Sequence, residues 1–97
     1  MYVSTIVWQF KPGTDNRVEA GIREQLIPTA RQIPGLRHLY SGPCGEDAWL
    51  SVLIYDSQAQ AEQGLARLAP VARSMMGDDL INMQRQASEA VIDEHFG

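Results

Sequence analysis

Two Pro-Gly pairs frame one amphipathic segment, and they constrain this chain more than any other feature. Pro12-Gly13 follows a strand-like run, Tyr2 to Phe10, and Pro34-Gly35 precedes another, Leu36 to Ser41. Proline and glycine together are strong turn punctuation. Between the two pairs the apolar residues repeat with helical spacing. The same strand–helix–strand order then recurs in the second half of the chain.

The run Tyr2 to Phe10 is rich in β-branched and aromatic residues and reads as a strand. One face carries Tyr2, Ser4, Ile6, Trp8 and Phe10; the other carries Val3, Thr5, Val7 and Gln9. Both faces are largely apolar, which suits a central strand covered on both sides. Thr14, Asp15 and Asn16 are all N-cap residue types, with Glu19 three positions after Asn16. Val18, Ile22, Leu26, Ala30 and Ile33 then form a helical face. Pro28 falls inside it and cannot donate to the carbonyl of Glu24, so a kink or a broken last turn is expected.

Leu36 to Ser41 and Ala48 to Tyr55 read as two strands, and Gly42 to Asp47 has the turn chemistry to join them as a hairpin. Ser57 and Gln60 form a capping box that starts a second helix. Its expected apolar face is Ala61, Leu65, Leu68, Ala72 and Met75. Gly64 weakens that helix, Pro70 should kink or restart it, and Gly77 is a plausible stop. Asp78 to Asn82 is ambiguous, and Met83 to His95 is the last strand candidate. The order β-α-β-β-α-β predicts an α+β, ferredoxin-like single domain over residues 1–97, with an antiparallel sheet and both helices on one face. The other sheet face then needs a cover. A second copy of the same sheet is the simplest one, giving a symmetric homodimer.

Bulk properties narrow the function classes. The net charge is −4, and the basic residues are one lysine, Lys11, and seven scattered arginines. No basic stripe forms, which argues against nucleic acid or an anionic membrane as partner. Cys44 is the single cysteine, so a reducing, cytoplasmic compartment is expected. Neither a signal-peptide pattern nor an apolar run of membrane-spanning length is visible. Gly-x-Gly-x-x-Gly after a strand and the P-loop are both missing, so nicotinamide or ATP use finds no support.

The chain resembles the dimeric α+β barrel superfamily, in particular its antibiotic-biosynthesis-monooxygenase-like and stress-responsive barrel groups. The resemblance rests on Trp8 to Thr14, on Ile33-Pro34-Gly35-Leu36, and on Trp49 to Asp56 leading into the Ser57 capping box. It spans nearly the whole chain. It implies a dimeric barrel and a cofactor-independent monooxygenase acting on a small aromatic or polyketide-like molecule. The alternative it implies is a non-catalytic ligand-binding or structural dimer, since such folds host many activities. Haem-degrading relatives use an asparagine on the first strand and a tryptophan and a histidine on the second helix. Here the first strand has no asparagine, and Ser57 to Ile81 has neither Trp nor His. The Tyr-x-x-His-Pro pattern of stress-responsive relatives is also missing.

Counting a six-residue hairpin loop, Gly42 to Asp47, Ser41 pairs with Ala48, Tyr40 with Trp49, His38 with Ser51 and Leu36 with Leu53. Side-chain alternation then gathers His38, Tyr40, Trp49, Ser51 and Tyr55 on one aromatic-polar face. That face is the candidate ligand surface. His38 is the candidate proton acceptor, with Tyr40 and Ser51 orienting an oxygen-bearing substrate and Trp49 stacking on a ring. A histidine at a dimer seam is the competing reading for His38, and a one-residue slip would reverse the pairing. Trp8 is either packing or a substrate platform. An isomerase or lyase of small acids would want an arginine in the pocket, and Arg37 and Arg85 are the strand arginines available. Asp93, Glu94 and His95 alternate along an extended chain and do not converge, so no metal site is assigned.

Overall fold

The computed structural model describes residues 1–14 and 16–97, with the backbone alone at Asn16. Four strands, β1 (Tyr2–Phe10), β2 (Leu36–Pro43), β3 (Ala48–Tyr55) and β4 (Leu80–Glu89), form one antiparallel sheet in the order β2-β3-β1-β4. The first helical run, α1, covers 16–30, and the second, α2, is Gln58–Met76. This is the expected ferredoxin-like α+β fold with β1 at the centre.

Both Pro-Gly pairs close β-turns. The Thr14 N–H donates to the Lys11 carbonyl and the Leu36 N–H to that of Ile33, at 3.3 and 3.4 Å. Gly13 and Gly35 both take φ +82°, which the third position of a type II turn requires and a side chain would resist. Of the three candidate caps of α1, Thr14 sends its hydroxyl to the Lys11 carbonyl instead. Asp15 and the side chain of Asn16 lie outside the described residues.

Pro28 does not break α1. The run is α-helical over Asn16–Gly21, π-helical over Ile22–Leu26 and α-helical again over Ile27–Ala30. The Ile27 N–H reaches back five residues to the Ile22 carbonyl. A π-bulge is one way for a helix to absorb an irregularity that would otherwise kink it. Pro70 likewise leaves α2 continuous, because Pro70 and Ala66 are both exposed and water can serve the carbonyl that loses its donor. Half of the capping box forms: the Ser57 hydroxyl oxygen accepts from the Gln60 N–H at 3.3 Å, while the Gln60 Oε1 accepts from the Ser57 hydroxyl at 3.1 Å. The buried stripe of α2 is Ala61, Gly64, Leu68, Ala72 and Met76, so Gly64 and Met76 take places expected for Leu65 and Met75, which are half-buried. Gly64 has a packing reason: a Cβ there would lie 2.3 Å from the Tyr55 hydroxyl.

The core lies between the helices and one sheet face. It contains Ile6, Trp8, Phe10, Trp49, Leu53 and Tyr55 from the strands and Val18, Ile22, Leu26, Leu68 and Ala72 from the helices. Trp8 is 2% exposed and packs edge-on to Phe10. Val3, Thr5, Val7, Leu50, Val52 and Ile54 occupy the opposite face and are only half-buried.

Two expectations need correction. The last strand is Leu80–Glu89, not Met83 to His95. Tyr2, the first residue of β1, pairs with Glu89, and one further bond runs from the Ala90 N–H to the Met1 carbonyl. Beyond that point the ladder has no partner strand. The second correction concerns the β2–β3 hairpin. Pro43 pairs with Trp49, Ser41 with Ser51, Tyr40 with Val52 and His38 with Ile54. The Cys44 N–H donates to the Ala48 carbonyl, so the turn is only Gly45-Glu46-Asp47, with Asp47 at φ +55°. Gly42-Pro43 belongs to the strand, and proline is tolerated there because β2 is an edge. The register differs by three residues from the expected one. From His38 to Pro43 this odd shift turns the side chains to the other face, whereas an irregularity between Leu36 and His38 sets Leu36 opposite Tyr55, on the face expected for it.

Candidate functional site

That register splits the expected cluster. Trp8, Trp49, Ser51 and Tyr55 share the helix-covered side of the sheet and are buried. His38 and Tyr40 pair with Ile54 and Val52 and sit on the opposite, uncovered side. Their rings stack on each other at 5.7 Å, and Tyr40 is 59% exposed. The structure therefore does not bring His38 to Ser51, Trp49 or Tyr55 within one subunit.

A small cavity lies between the sheet and the helices. Its walls come from Ile6 and Trp8 on β1, Ser51 and Leu53 on β3, Met83 on β4, Leu26 on α1, and Leu65, Leu68, Ala69 and Ala72 on α2. Its volume is about 20 Å³, room for about one water-sized sphere. Every wall residue except Ser51 and Trp8 is wholly apolar, and none is titratable. Among the described residues, the Trp8 indole Nε1 is the one buried side-chain polar atom with no hydrogen-bond partner. A buried donor left unpaired is costly, so this N–H is held in place by the packing of its ring.

A chain of three polar groups runs outward from the cavity. Ser51 Oγ lies 2.9 Å from Ser41 Oγ, its partner across the strands. The Trp49 Nε1–H donates to the same Ser41 oxygen at 2.6 Å. Each serine hydroxyl has one proton and two lone pairs, so the pair can reverse its donor without moving a heavy atom. Ser41 and Trp49 also border an outer groove of about 240 Å³ between α1 and β2, with Glu19, Ile22, Arg23, Ile27, Leu39, Gly42 and Pro43. Ser51 thus faces the cavity while Ser41 faces the groove. Ser41 was not among the expected site residues. A three-residue hairpin turn, counted from Gly45 to Asp47, would have placed it opposite Ser51.

Two further polar groups belong to the covered side. The Arg85 Nε–H donates to Ser4 Oγ at 3.1 Å, and its Nη2 lies 3.4 Å from a Glu62 carboxylate oxygen. Arg85 therefore reaches the covered face, at 24% exposure, whereas Arg37 is exposed and bound to Asp56. Burial pushes the Tyr55 hydroxyl above the ordinary tyrosine pKa, and the Arg85 charge acts weakly against that shift. No group of three or more potential metal ligands occurs among the described residues, and no helix is long and apolar enough to cross a membrane.

The fold has close counterparts among solved structures. A candidate antibiotic biosynthesis monooxygenase from Deinococcus radiodurans superimposes with a TM-score of 0.82 at 12% identity, covering 100% of this chain and 99% of that one. Another from Nitrosomonas europaea gives 0.74 at 12% identity, over 95% and 100% of the two chains. A variant of SnoaB, a cofactor-independent oxygenase from Streptomyces nogalater, gives 0.72 at 9% identity, over 95% and 94%. No protein-family model and no curated protein matches the chain. At these identities the likeness is one of fold, and it shows that this chain has the antibiotic-biosynthesis-monooxygenase-like α+β fold.

Proposed function

We propose that this chain binds a small aromatic or polyketide-like molecule between its sheet and helices and acts on it as a cofactor-independent monooxygenase. The observation that carries the reading is the Trp8 indole N–H, buried and unpartnered at the wall of an apolar cavity. A ligand oxygen would satisfy it, and the Ser51 hydroxyl stands at the same wall to receive or donate a second bond. In such chemistry the substrate supplies the electrons for oxygen. The protein's part is to exclude water and hold the reacting ring.

The closed cavity is too small for a ring, so binding requires α2 to move away from the sheet. In this reading His38 and Tyr40 serve a different surface. They join Val3, Val7, Leu50, Val52 and Ile54 on the open face, which meets a second copy of the chain as a homodimer.

A hydroxylated anthrone is a suitable probe. It should quench tryptophan fluorescence on binding, and oxygen uptake should follow with no added metal, flavin or nicotinamide. Trp8→Phe keeps the ring but removes the N–H, and it should weaken binding about tenfold. No quenching at any probe concentration would overturn the reading. Quenching without oxygen uptake would favour the second reading, a non-catalytic ligand-binding or structural dimer. The absence of any titratable group from the cavity wall speaks for that reading.

A further inference from the structure

Given the ligand site proposed above, on which this step rests, we infer that Ser51 and Ser41 form a two-hydroxyl relay. It carries the proton lost by the bound ligand from the covered cavity to the water of the outer groove.

A ring that hands electrons to dioxygen gives them up far more readily as its anion, so a proton must leave first, which is general-base work. The cavity wall holds no carboxylate, imidazole or amine to take that proton. Two side chains there carry a polar atom, Trp8 and Ser51. An indole N–H only donates, whereas a hydroxyl both donates and accepts. Ser51 Oγ is therefore the one side-chain atom of the wall able to accept a proton. Ser51 is 1% exposed, so the path outward continues through the protein. His38, the one histidine on a strand, pairs with Ile54 on the opposite face and is not on that path.

Ser41 supplies the continuation. The short hairpin turn sets it opposite Ser51, with the two Oγ atoms 2.9 Å apart, and it borders the outer groove. The Trp49 Nε1–H occupies one Ser41 lone pair at 2.6 Å. When the other lone pair accepts from Ser51, the Ser41 proton is left to point into the groove. Both hydroxyls then point outward, and Ser41 uses all of its hydrogen-bonding capacity.

The transfer balances without a charged serine. The ligand's C–H or O–H bond breaks, its electron pair stays on the ring, and its proton joins Ser51 Oγ. The Ser51 proton passes to Ser41, and the Ser41 proton passes to a groove water. Each serine gains one proton and loses one. Both hydroxyls now point inward, so Ser51 donates to the ring anion until the pair rotates back. Dioxygen takes electrons only after this step. Ser51 touches the ligand, and Ser41 acts through it as a positioning residue.

The test mixes the same hydroxylated anthrone with the protein in a stopped-flow cell without oxygen and follows the absorbance of its enolate. Fluorescence quenching gives the dissociation constant in parallel. Ser41→Ala should slow enolate formation at least about tenfold while leaving the dissociation constant within about twofold. Ser41→Thr keeps the hydroxyl and should restore most of the rate. In deuterium oxide the natural protein should show a proton inventory curved by more than one proton in flight, and Ser41→Ala should lose that curvature. A rate indifferent to Ser41→Ala, an effect confined to binding, or a loss that Ser41→Thr does not relieve would each overturn the relay. Oxygen uptake, measured separately, tells the two readings apart. Uptake with an indifferent Ser41 overturns the relay and leaves the monooxygenase reading standing, whereas an enolate that forms through Ser41 without uptake does the reverse. A protein that never quenches with the probe overturns both.

Discussion

The two faces of one sheet behave as different materials. On the covered face, alternate residues of β1 and β3 are nearly sealed: Ile6, Trp8, Phe10, Leu53 and Tyr55 lie beneath the helices. On the open face, their immediate neighbours Val3, Thr5, Val7, Leu50, Val52 and Ile54 are half-buried by one another alone. Both sets are largely apolar, but the covered one carries the rings of Trp8, Phe10 and Tyr55 whereas the open one is mostly β-branched. The helix layer then separates them further. The covered face can hold unusual polar groups, such as the unpaired Trp8 N–H and the Ser41–Ser51–Trp49 chain, because packing fixes them. The open face carries only water-compatible polar groups, His38 and Tyr40 among them.

The contrast can be broken most forcefully at Trp8. Trp8→Ala should lower unfolding stability by about 3–5 kcal/mol in a urea titration, since it removes the largest nearly sealed side chain of the core. A loss under about 1 kcal/mol would mean that the covered face is far more plastic than its burial implies. Adjacent residues on opposite faces give a sharper version. Leu53→Ala should cost about 2–5 kcal/mol, whereas Val52→Ala should cost about 1 kcal/mol or less in the isolated subunit. Val52→Asp should leave that subunit folded while abolishing self-association in sedimentation velocity.

Smaller effects test the fit between layers. Gly64→Ala forces a Cβ against the Tyr55 hydroxyl and should destabilise by about 1–3 kcal/mol. The companion Tyr55→Phe should relieve only part of that loss in the double variant, since the ring Cε1 and Cζ would still lie 2.7 and 2.8 Å from the new Cβ; full relief would mean that the hydroxyl alone carries the clash. Tyr55 also sets a pH dependence. Its folded pKa is raised by burial, so its contribution is complete below the ordinary tyrosine value of about 10 and is lost as pH rises through the folded value. Stability at pH 9–11 should fall more steeply in the natural protein than in Tyr55→Phe.

The smallest effect belongs to the solvent-exposed pair Arg37–Asp56. Its hydrogen bond and charge hold the Asp56 carboxyl below the ordinary aspartate range. The carboxylate form is thus favoured by folding, and the benefit is lost as pH falls through the folded value. Carboxyl-carbon NMR should show Asp56 titrating at higher pH in Arg37→Ala.

Much of this architecture was legible one element at a time. The Pro-Gly turns, the Ser57–Gln60 cap, the two-faced β1 and the split βαβ order all rest on neighbours within a few residues, where local sterics and hydrogen bonding decide. The helices withstood both prolines for reasons the pattern does not carry. Pro28 was absorbed by a π-helical segment and Pro70 by exposure to solvent. The site was less legible. Trp49, Ser51 and Tyr55 were recognisable as one set, but Trp8 was read apart from them, Ser41 was missed, and His38 and Tyr40 were placed on the wrong side.

The amino-acid sequence by itself determined the order of strands and helices, the two Pro-Gly turns and the alternation along β1 and β3. The tertiary structure decided the side to which β2 turns its residues and the point at which β4 stops. The reason is the same in both cases. A strand's register is a property of the pair, and it is settled by where the hairpin closes, at Cys44 and Ala48, and by how far the partner strand extends, to Tyr2.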